Sequence, residues 1–169
     1  MVLIAREFSG ECFDFDCLCA SCLGGLVLKR AQKEALSCLL KGKDVLAVLP
    51  TGLGKSLIYQ SFVLAKEIAE CSVGCSSSRP SCLVHVIVPL HSIIEEQINS
   101  KEFDLEVKGF PFSKDVLHDI KNNKFQVICA LAEQALSSQF LEVLWDESSA
   151  LGKSISLIVV DKSHTVETW

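Results

Sequence analysis

The stretch PTGLGKS, residues 50–56, places two glycines before a lysine and a serine. Gly52 and Gly54 have no side chains, so the backbone N–H groups around them can converge on phosphate oxygens. Lys55 is placed to reach the β- and γ-phosphates of a nucleotide, and the Ser56 hydroxyl is placed to bind magnesium. An apolar run precedes the stretch and a helical pattern follows it, which favours a phosphate-binding loop over an ordinary glycine turn.

A second group of polar residues follows the last apolar run of the chain. Asp161 comes directly after ISLIVV, residues 155–160, and Lys162, Ser163 and His164 come next. Ligands of parallel sheets bind at the carboxyl ends of strands. We therefore expect Asp161 and the phosphate loop to lie at the same edge of one sheet.

The elements that must position these residues alternate between two patterns. Short apolar runs predict strands over residues 44–49, 83–88, 125–130 and 155–160, with a shorter strand within 104–110. Helical spacing predicts helices over residues 31–41, 55–70, 91–100, 114–124 and 131–145. Strands that are apolar throughout and alternate with helices indicate an α/β fold, with a parallel sheet covered by helices on both faces.

The composition narrows the class of protein. The chain has 169 residues, enough for one domain, and 49% of them are hydrophobic, so it can fill a core. Its net charge of −5 argues against a protein that coats nucleic acid with a generally basic surface. A local basic groove is still compatible with this charge. No apolar run has the length of a membrane helix, and Arg6, Glu7 and Glu11 interrupt the N-terminal run too early for a signal peptide. We expect an intracellular protein with reduced cysteines and no membrane partner.

Four cysteines cluster near the N-terminus, at positions 12, 17, 19 and 22. Only Cys19 and Cys22 have the spacing of a metal-binding knuckle, and structural zinc normally needs a second pair beyond a loop. An apolar, cysteine-rich lead-in is the favoured interpretation, and a metal site is the alternative.

Residues 42–60, GKDVLAVLPTGLGKSLIYQ, together with Gln32, resemble the first motor domain of RecQ-type superfamily-2 ATP-dependent DNA helicases. Three further stretches agree with that family in order: VIVPLHSIIEEQI (86–98), FQVICALAEQAL (125–136) and VVDKSHTVETW (159–169). The resemblance covers about residues 23–169, after a lead-in over 1–22. It implies a RecA-like P-loop NTPase fold that is incomplete, because the second RecA-like domain is missing.

The resemblance implies ATP and Mg²⁺ as cofactors. It assigns nucleotide binding to Lys29, Gln32, Thr51, Gly52, Leu53, Gly54, Lys55 and Ser56. Gln32 matches the glutamine whose amide reads adenine, while Lys29 stands where the family has arginine. Ser56 and Asp161 are implied as the magnesium-binding residues.

The same resemblance implies a catalytic set of Lys55, Asp161, position 162 and His164, with His164 coupling ATP to DNA binding. The family has glutamate at position 162, where it positions and polarises the attacking water; this chain has Lys162. A lysine ammonium has three donors and no acceptor, so it cannot take a proton from water. We therefore hypothesise that the chain binds ATP but hydrolyses it poorly or not at all.

The implied partner is DNA, single-stranded or forked. By resemblance, residues 89–97 face single-stranded DNA, although a packed helix start accounts for them equally well. Residues 130–133, ALAE, stand where the family has a strand ending in Thr-Pro-Glu, and they lack its proline. The resemblance further implies a nuclear setting in DNA repair or recombination.

The chain ends at Trp169, before a strand that in the family lies between the phosphate-loop strand and the strand ending at Asp161. We therefore expect a gap in the sheet with unpaired backbone groups, and a chain that is marginally stable or aggregates. Without a second motor domain, we expect no unwinding by this chain alone.

Three functions remain open from the sequence. The leading one is the ATP-binding half of a helicase that unwinds DNA in the 3′-to-5′ direction in the intact family. The alternatives are a superfamily-2 RNA helicase fragment and a non-catalytic pseudo-helicase or scaffold that binds ATP and nucleic acid. The residues SLIYQ (56–60) after the phosphate loop favour the RecQ type.

Overall fold

The computed structural model describes residues 1–5, 15–50, 52–72, 82–100, 103, 105–109, 113–122, 124–145 and 154–161. Its strands are β1 (Val2–Ala5), β2 (Val45–Leu46), β3 (Leu83–Val88), β4 (Val107–Gly109), β5 (Val127–Leu131) and β6 (Ile155–Val160). Its helices are α1 (Phe15–Ser21), α2 (Arg30–Leu40), α3 (Ser56–Ser72), α4 (His91–Asn99), α5 (Lys114–Lys121), α6 (Ala132–Ala135) and α7 (Ser138–Trp145).

The described strands form one six-stranded sheet in the order β2-β1-β6-β3-β5-β4. β6, β3, β5 and β4 run parallel to one another, as expected for strands joined through helices. β1 is the exception, because it runs antiparallel to both of its neighbours. The predicted α/β class is confirmed, with a mostly parallel sheet of the RecA-like kind.

Helices cover both faces of the sheet, as the apolar strands predict. On one face, α1, α2, α3 and α4 pack against alternate residues of the strands, such as Val84 and Val86. On the other face, the smaller cluster joins Ile120 of α5 and Phe140 of α7 to strand residues that include Ile128. This second layer does not extend over β2, where Leu46 is 67% exposed.

The expected gap beside the phosphate-loop strand is wrong for the described chain. β1 lies between β2 and β6 and pairs with both. Val2 is the register partner of Leu46 on one side and of Val160 on the other. A four-residue segment from the N-terminus therefore satisfies the backbone groups that were expected to be unpaired.

The N-terminal segment was expected as a lead-in over residues 1–22. Within this segment, β1 joins the sheet, and α1 contributes Leu18, which is fully buried, to the larger core cluster. Short strands and short helices of this kind have little local signal, because their stability comes from partners distant in sequence.

Two predicted elements differ in extent. The strand predicted over 44–49 is reduced to Val45–Leu46, because it has a single neighbouring strand and sits at the edge of the sheet. The helix predicted over 131–145 is broken into α6 and α7. At the break the Ser137 hydroxyl accepts a hydrogen bond from the Phe140 backbone N–H at 3.4 Å, so Ser137 acts as the N-cap of α7.

In the part of the chain that the structure describes, no helix combines the length and apolar character needed to cross a membrane.

Candidate nucleotide site

The carboxyl ends of β2 and β6 lie at the same edge of the sheet. Since β1 runs antiparallel to both, β2 and β6 point in the same direction. β2 leads into the phosphate loop, and β6 leads into Asp161, whose backbone N–H donates to the Ile87 carbonyl at 2.9 Å. The two strand ends singled out from the sequence are thus brought to one edge, as ligand sites in such sheets require.

The phosphate loop has the backbone shape that its glycines predict. Gly52 and Gly54 adopt φ values of 79° and 70°, in the left-handed region that favours glycine. The Leu53 N–H donates to the Pro50 carbonyl at 3.3 Å, which closes a tight turn. α3 begins at Ser56 directly after the turn, so the positive end of a 17-residue helix faces the loop.

The Lys55 side chain folds back over the loop. Its Nζ donates to the carbonyl oxygens of Leu49 and Pro50, each at 3.2 Å. A flexible lysine held by neutral carbonyls can exchange them for a phosphate oxygen, which makes the stronger, charge-assisted bond. The Lys55 ammonium group therefore already lies beside the loop, where it can bind an anion.

Gln32 belongs to the same site, although it lies on α2. Its side chain is only 2% exposed, and its Nε2 donates to the carbonyl oxygens of Leu53 and Gly54, each at 2.9 Å. Its Oε1 accepts from the Lys29 backbone N–H at 2.7 Å. The Gln32 amide thus ties the start of α2 to the phosphate loop, and reading adenine requires it to exchange at least one of these bonds.

The contact between Gln32 and the loop is so close that a side chain at position 54 would displace the Gln32 amide. A Cβ atom on Gly54 would lie 2.9 Å from Gln32 Nε2. Gly54 therefore suits this position for two reasons: its positive φ favours glycine, and the absence of a Cβ lets the Gln32 amide approach the loop.

Asp161 lies near the first turns of α3. Its carboxylate is among the groups that raise the pKa of Tyr59, after burial and the Cys129 thiol, which have larger effects. Asp161 is partly exposed, as a magnesium-binding side chain at a strand end must be. Lys29, by contrast, contacts the site through its backbone, and its side chain is exposed.

Tyr59 and Gln97 form a contact that the sequence did not indicate. Tyr59 is 3% exposed on α3, and its hydroxyl donates to Gln97 Oε1 on α4 at 2.6 Å. The two residues lie 38 positions apart, and no sequence pattern links the two positions. The only signal was the presence of both residues in stretches that resemble family motifs.

Three of the predicted site residues, Thr51, Lys162 and His164, lie outside the described residues. Their roles stay predictions from the sequence. The structure brings Gln32, Lys55 and the loop glycines together, and it places Asp161 at the same sheet edge.

The residues present fit a nucleoside triphosphate with a divalent cation. The turn offers backbone N–H groups, and Lys55 and the start of α3 add positive charge, which suits phosphate oxygens. The Ser56 hydroxyl and the Asp161 carboxylate are oxygen donors, the ligands that Mg²⁺ prefers. Within the described ranges, no group of three or more His, Cys, Asp and Glu side chains is arranged to hold a metal ion by itself, so the phosphates would complete the cation's ligands.

A family comparison agrees with this site. The model of the DEAD/DEAH box helicases matches residues 29–169, from the residue before α2 to the last residue of the sequence. The chain belongs to the DEAD/DEAH box helicase family. Domains of this family use ATP, generally with Mg²⁺.

The relatives of this helicase domain among curated proteins are RecQ-type DNA helicases. It is 31% identical over 153 residues to the rat protein "ATP-dependent DNA helicase Q5", covering 82% of this chain and 14% of that protein. It is 28% identical over 146 residues to "ATP-dependent DNA helicase Q-like 5" of Arabidopsis thaliana, covering 82% of this chain and 14% of the relative. It is 29% identical over 151 residues to "Probable ATP-dependent DNA helicase RecS" of Bacillus subtilis, covering 83% of this chain and 26% of the relative.

The helicase domain described here thus spans about a quarter or less of the length of these relatives. Its similarity to them concerns the ATP-binding part, and the resemblance to RecQ-type helicases inferred from the sequence motifs is confirmed.

Proposed function

We propose that this chain is the ATP-binding motor domain of a RecQ-type DNA helicase, binding ATP and Mg²⁺ at the edge formed by the ends of β2 and β6. The observation that carries the proposal is the phosphate loop itself. Two left-handed glycines, the start of a long helix and the Lys55 ammonium group all belong to this one loop. Such an arrangement of positive groups binds anions and has no comparable use in a core.

Each residue of the site has a proposed role in binding. Lys55 exchanges its two carbonyl partners for oxygens of the β- and γ-phosphates, and the backbone N–H groups of the turn bind the same phosphates. Ser56 and Asp161 hold the magnesium ion, which, when bound, neutralises charge on the phosphates. Gln32 holds the loop in shape and, after exchanging a bond, recognises the adenine edge.

Hydrolysis is proposed to be weak, because of the residue after Asp161. Lys162 stands where the resemblance implies a glutamate that polarises the attacking water. A charged lysine cannot accept a proton, and a cation placed about 4 Å from another repels it by roughly 4 kcal/mol at an effective dielectric of about 20. Loss of a positioned general base costs about 10²- to 10⁴-fold in rate.

DNA is the proposed partner, and α4 is the proposed contact. α4 starts at the carboxyl end of β3, so it begins at the same edge of the sheet as the nucleotide site. His91 and Ser92 at the start of this helix are exposed. The relatives named above are DNA helicases, which supports DNA over RNA. The proposed compartment is the nucleus, where a eukaryotic DNA helicase meets its substrate.

A second candidate function is a non-catalytic protein that binds ATP and nucleic acid as a pseudo-helicase or scaffold. Lys162 favours it specifically, since this substitution removes the acceptor needed for hydrolysis while leaving the binding residues in place.

Calorimetric titration with ATP and with GTP, each with Mg²⁺, tests the nucleotide proposal. Binding of ATP in preference to GTP is expected, and binding of neither contradicts it. Fluorescence anisotropy with single-stranded DNA and RNA of equal length then tests the partner. Preference for DNA supports the RecQ type, preference for RNA supports the RNA-helicase alternative, and binding of neither contradicts both.

A further inference from the structure

The hydrogen bond between Tyr59 and Gln97 joins two helices with different proposed tasks. Tyr59 lies three residues after Ser56, one turn into the helix that begins at the phosphate loop. Gln97 lies in the last part of α4, the proposed DNA-facing helix. The donor–acceptor distance of 2.6 Å is at the short end of the range for hydroxyl donors, so this is a well-formed bond.

The surroundings of Tyr59 keep its hydroxyl protonated. Burial raises its pKa well above the ordinary value, and the Cys129 thiol, Asp161 and Glu96 raise it further in that order. The group is therefore a permanent O–H donor, and Gln97 Oε1 is its acceptor. The Asp161 carboxylate, on the nucleotide side, and the Glu96 carboxylate, on α4, thus both act electrostatically on the Tyr59 hydroxyl.

Both helices pack against the rest of the fold close to this bond. Ile58 and Phe62 of α3 are fully buried, so the first two turns of α3 move as a unit with the core. α4 packs closely against Gly109 of β4. The approach is so close that a Cβ atom added to Gly109 would overlap Ile94 and lie 2.7 Å from Ile98 Cδ1. A shift at the start of α3 therefore reaches α4 through the Tyr59–Gln97 bond, without being absorbed by loose packing.

We infer that Tyr59 and Gln97 are positioning residues that couple occupancy of the nucleotide site to the position of α4, and through it to nucleic-acid binding. This inference rests on the proposed function, since it takes the phosphate loop as the nucleotide site and α4 as the nucleic-acid contact. Neither residue is among those proposed above to bind the nucleotide. Their effect appears in the linkage between two ligands rather than in either affinity alone.

The test compares the unaltered 169-residue chain with Tyr59→Phe, which removes only the hydroxyl. Its first readout is hydrogen exchange at the backbone amides of residues 91–99, with and without a non-hydrolysable ATP analogue and Mg²⁺. We expect the analogue to change exchange in this segment in the unaltered chain, and to leave it unchanged in Tyr59→Phe. This readout needs no DNA.

The second readout is the ratio of the Kd values for single-stranded DNA without and with the analogue. One hydrogen bond supports a change in this ratio of about 2- to 10-fold, and Tyr59→Phe is expected to bring the ratio to about one. Gln97→Leu, which removes the acceptor, is expected to act like Tyr59→Phe. Gln97→Glu keeps an acceptor oxygen and is expected to restore most of the coupling.

Glu67→Met is the matched control. Glu67 lies on the same helix and accepts a hydrogen bond from Gln126 Nε2 at 2.8 Å, so it ties α3 to the start of β5 rather than to α4. It should weaken the fold to a similar degree and keep both coupling readouts.

The outcomes are distinguishable. If the unaltered chain does not bind the analogue, the proposed function and this inference fall together. Suppose instead that the unaltered chain binds the analogue. If Tyr59→Phe then shows the same change in α4 exchange and the same ratio of Kd values for DNA as the unaltered chain, the inference alone is overturned. Loss of coupling in Glu67→Met as well would also overturn it, because the effect would then follow from general loosening of α3.

Discussion

Val2 and Val160 are direct partners in the antiparallel ladder between β1 and β6, and Val160 is the residue immediately before Asp161. On its other side Val2 is the partner of Leu46, in the strand that leads to the phosphate loop. β1 therefore separates the two strand ends of the candidate nucleotide site by two strand spacings, about 10 Å. An N-terminal strand of four residues sets the spacing of the site.

Shortening Leu3 should destabilise the fold through this strand. Leu3 is fully buried on β1, so Leu3→Ala is expected to lower the free energy of unfolding by about 2–5 kcal/mol. Ile4 points to the opposite, partly exposed face, and Ile4→Ala is the matched control with a smaller loss. Urea denaturation measures both. Equal losses for the two variants would show that β1 is not packed as described.

Substitution of Gly54 should impair nucleotide binding more than substitution of Gly52. Both glycines have positive φ, so alanine strains each by about 1–2 kcal/mol. Only at position 54 does the new Cβ meet another group, Gln32 Nε2, while position 52 is open. Titration with an ATP analogue should show at least a tenfold larger Kd for Gly54→Ala than for Gly52→Ala. Equal Kd values would argue against the described contact between Gln32 and the loop.

Acidification should weaken the fold through His85. Burial lowers the pKa of this histidine on β3 to about 4, against an unfolded value of about 6.5, and its ring packs on Phe140 with centroids 5.0 Å apart. Because the unfolded chain takes up the proton first, the stability associated with neutral His85 is fully present above about pH 6.5. It is lost as the pH falls to about 4, by roughly 3 kcal/mol in all.

Urea denaturation across this pH window checks the prediction with His85→Leu, which should flatten the decline by that amount. His118→Gln changes an exposed histidine and is the control, which should keep the decline. A decline in His85→Leu as steep as in the unaltered chain would assign the acid sensitivity to other groups.

Lys162→Glu should raise the rate of ATP hydrolysis. The change restores a side chain that can accept a proton beside Asp161, and a gain of about 10²-fold or more is expected from a positioned base. A single-turnover assay on the chain joined to an intact second motor domain measures it for the unaltered and the substituted form. Lys162→Gln controls for loss of the positive charge alone. If the unaltered chain and Lys162→Glu hydrolyse ATP at equal rates, the lysine is not what limits the reaction.

Elements that are long, apolar and bounded by turn residues could be predicted closely from the sequence. β3 and β6 have the predicted bounds, since each is a six-residue run with five apolar residues, most of them buried, which leaves little choice of register. The turn at Gly52 and Gly54 could also be predicted, because a positive φ at a glycine depends on local geometry.

The features that escaped prediction depend on contacts between distant residues. VLIA, residues 2–5, has no local signal for a strand that pairs with residues 157–160. Its antiparallel insertion follows from the unpaired backbone groups of β2 and β6, which are far away in sequence. The Tyr59–Gln97 bond and the double use of the Gln32 amide likewise appear only once α2, α3 and α4 are packed together.

The most direct test of the account is calorimetric titration of the 169-residue chain with ATP and Mg²⁺, repeated with Lys55→Ala. Binding of one ATP per chain is predicted, with a loss of affinity of at least tenfold in Lys55→Ala, because the variant lacks the ammonium group that the Leu49 and Pro50 carbonyls hold over the loop. Absence of binding, or equal affinity in the two forms, would contradict the assignment of the phosphate loop as a nucleotide site.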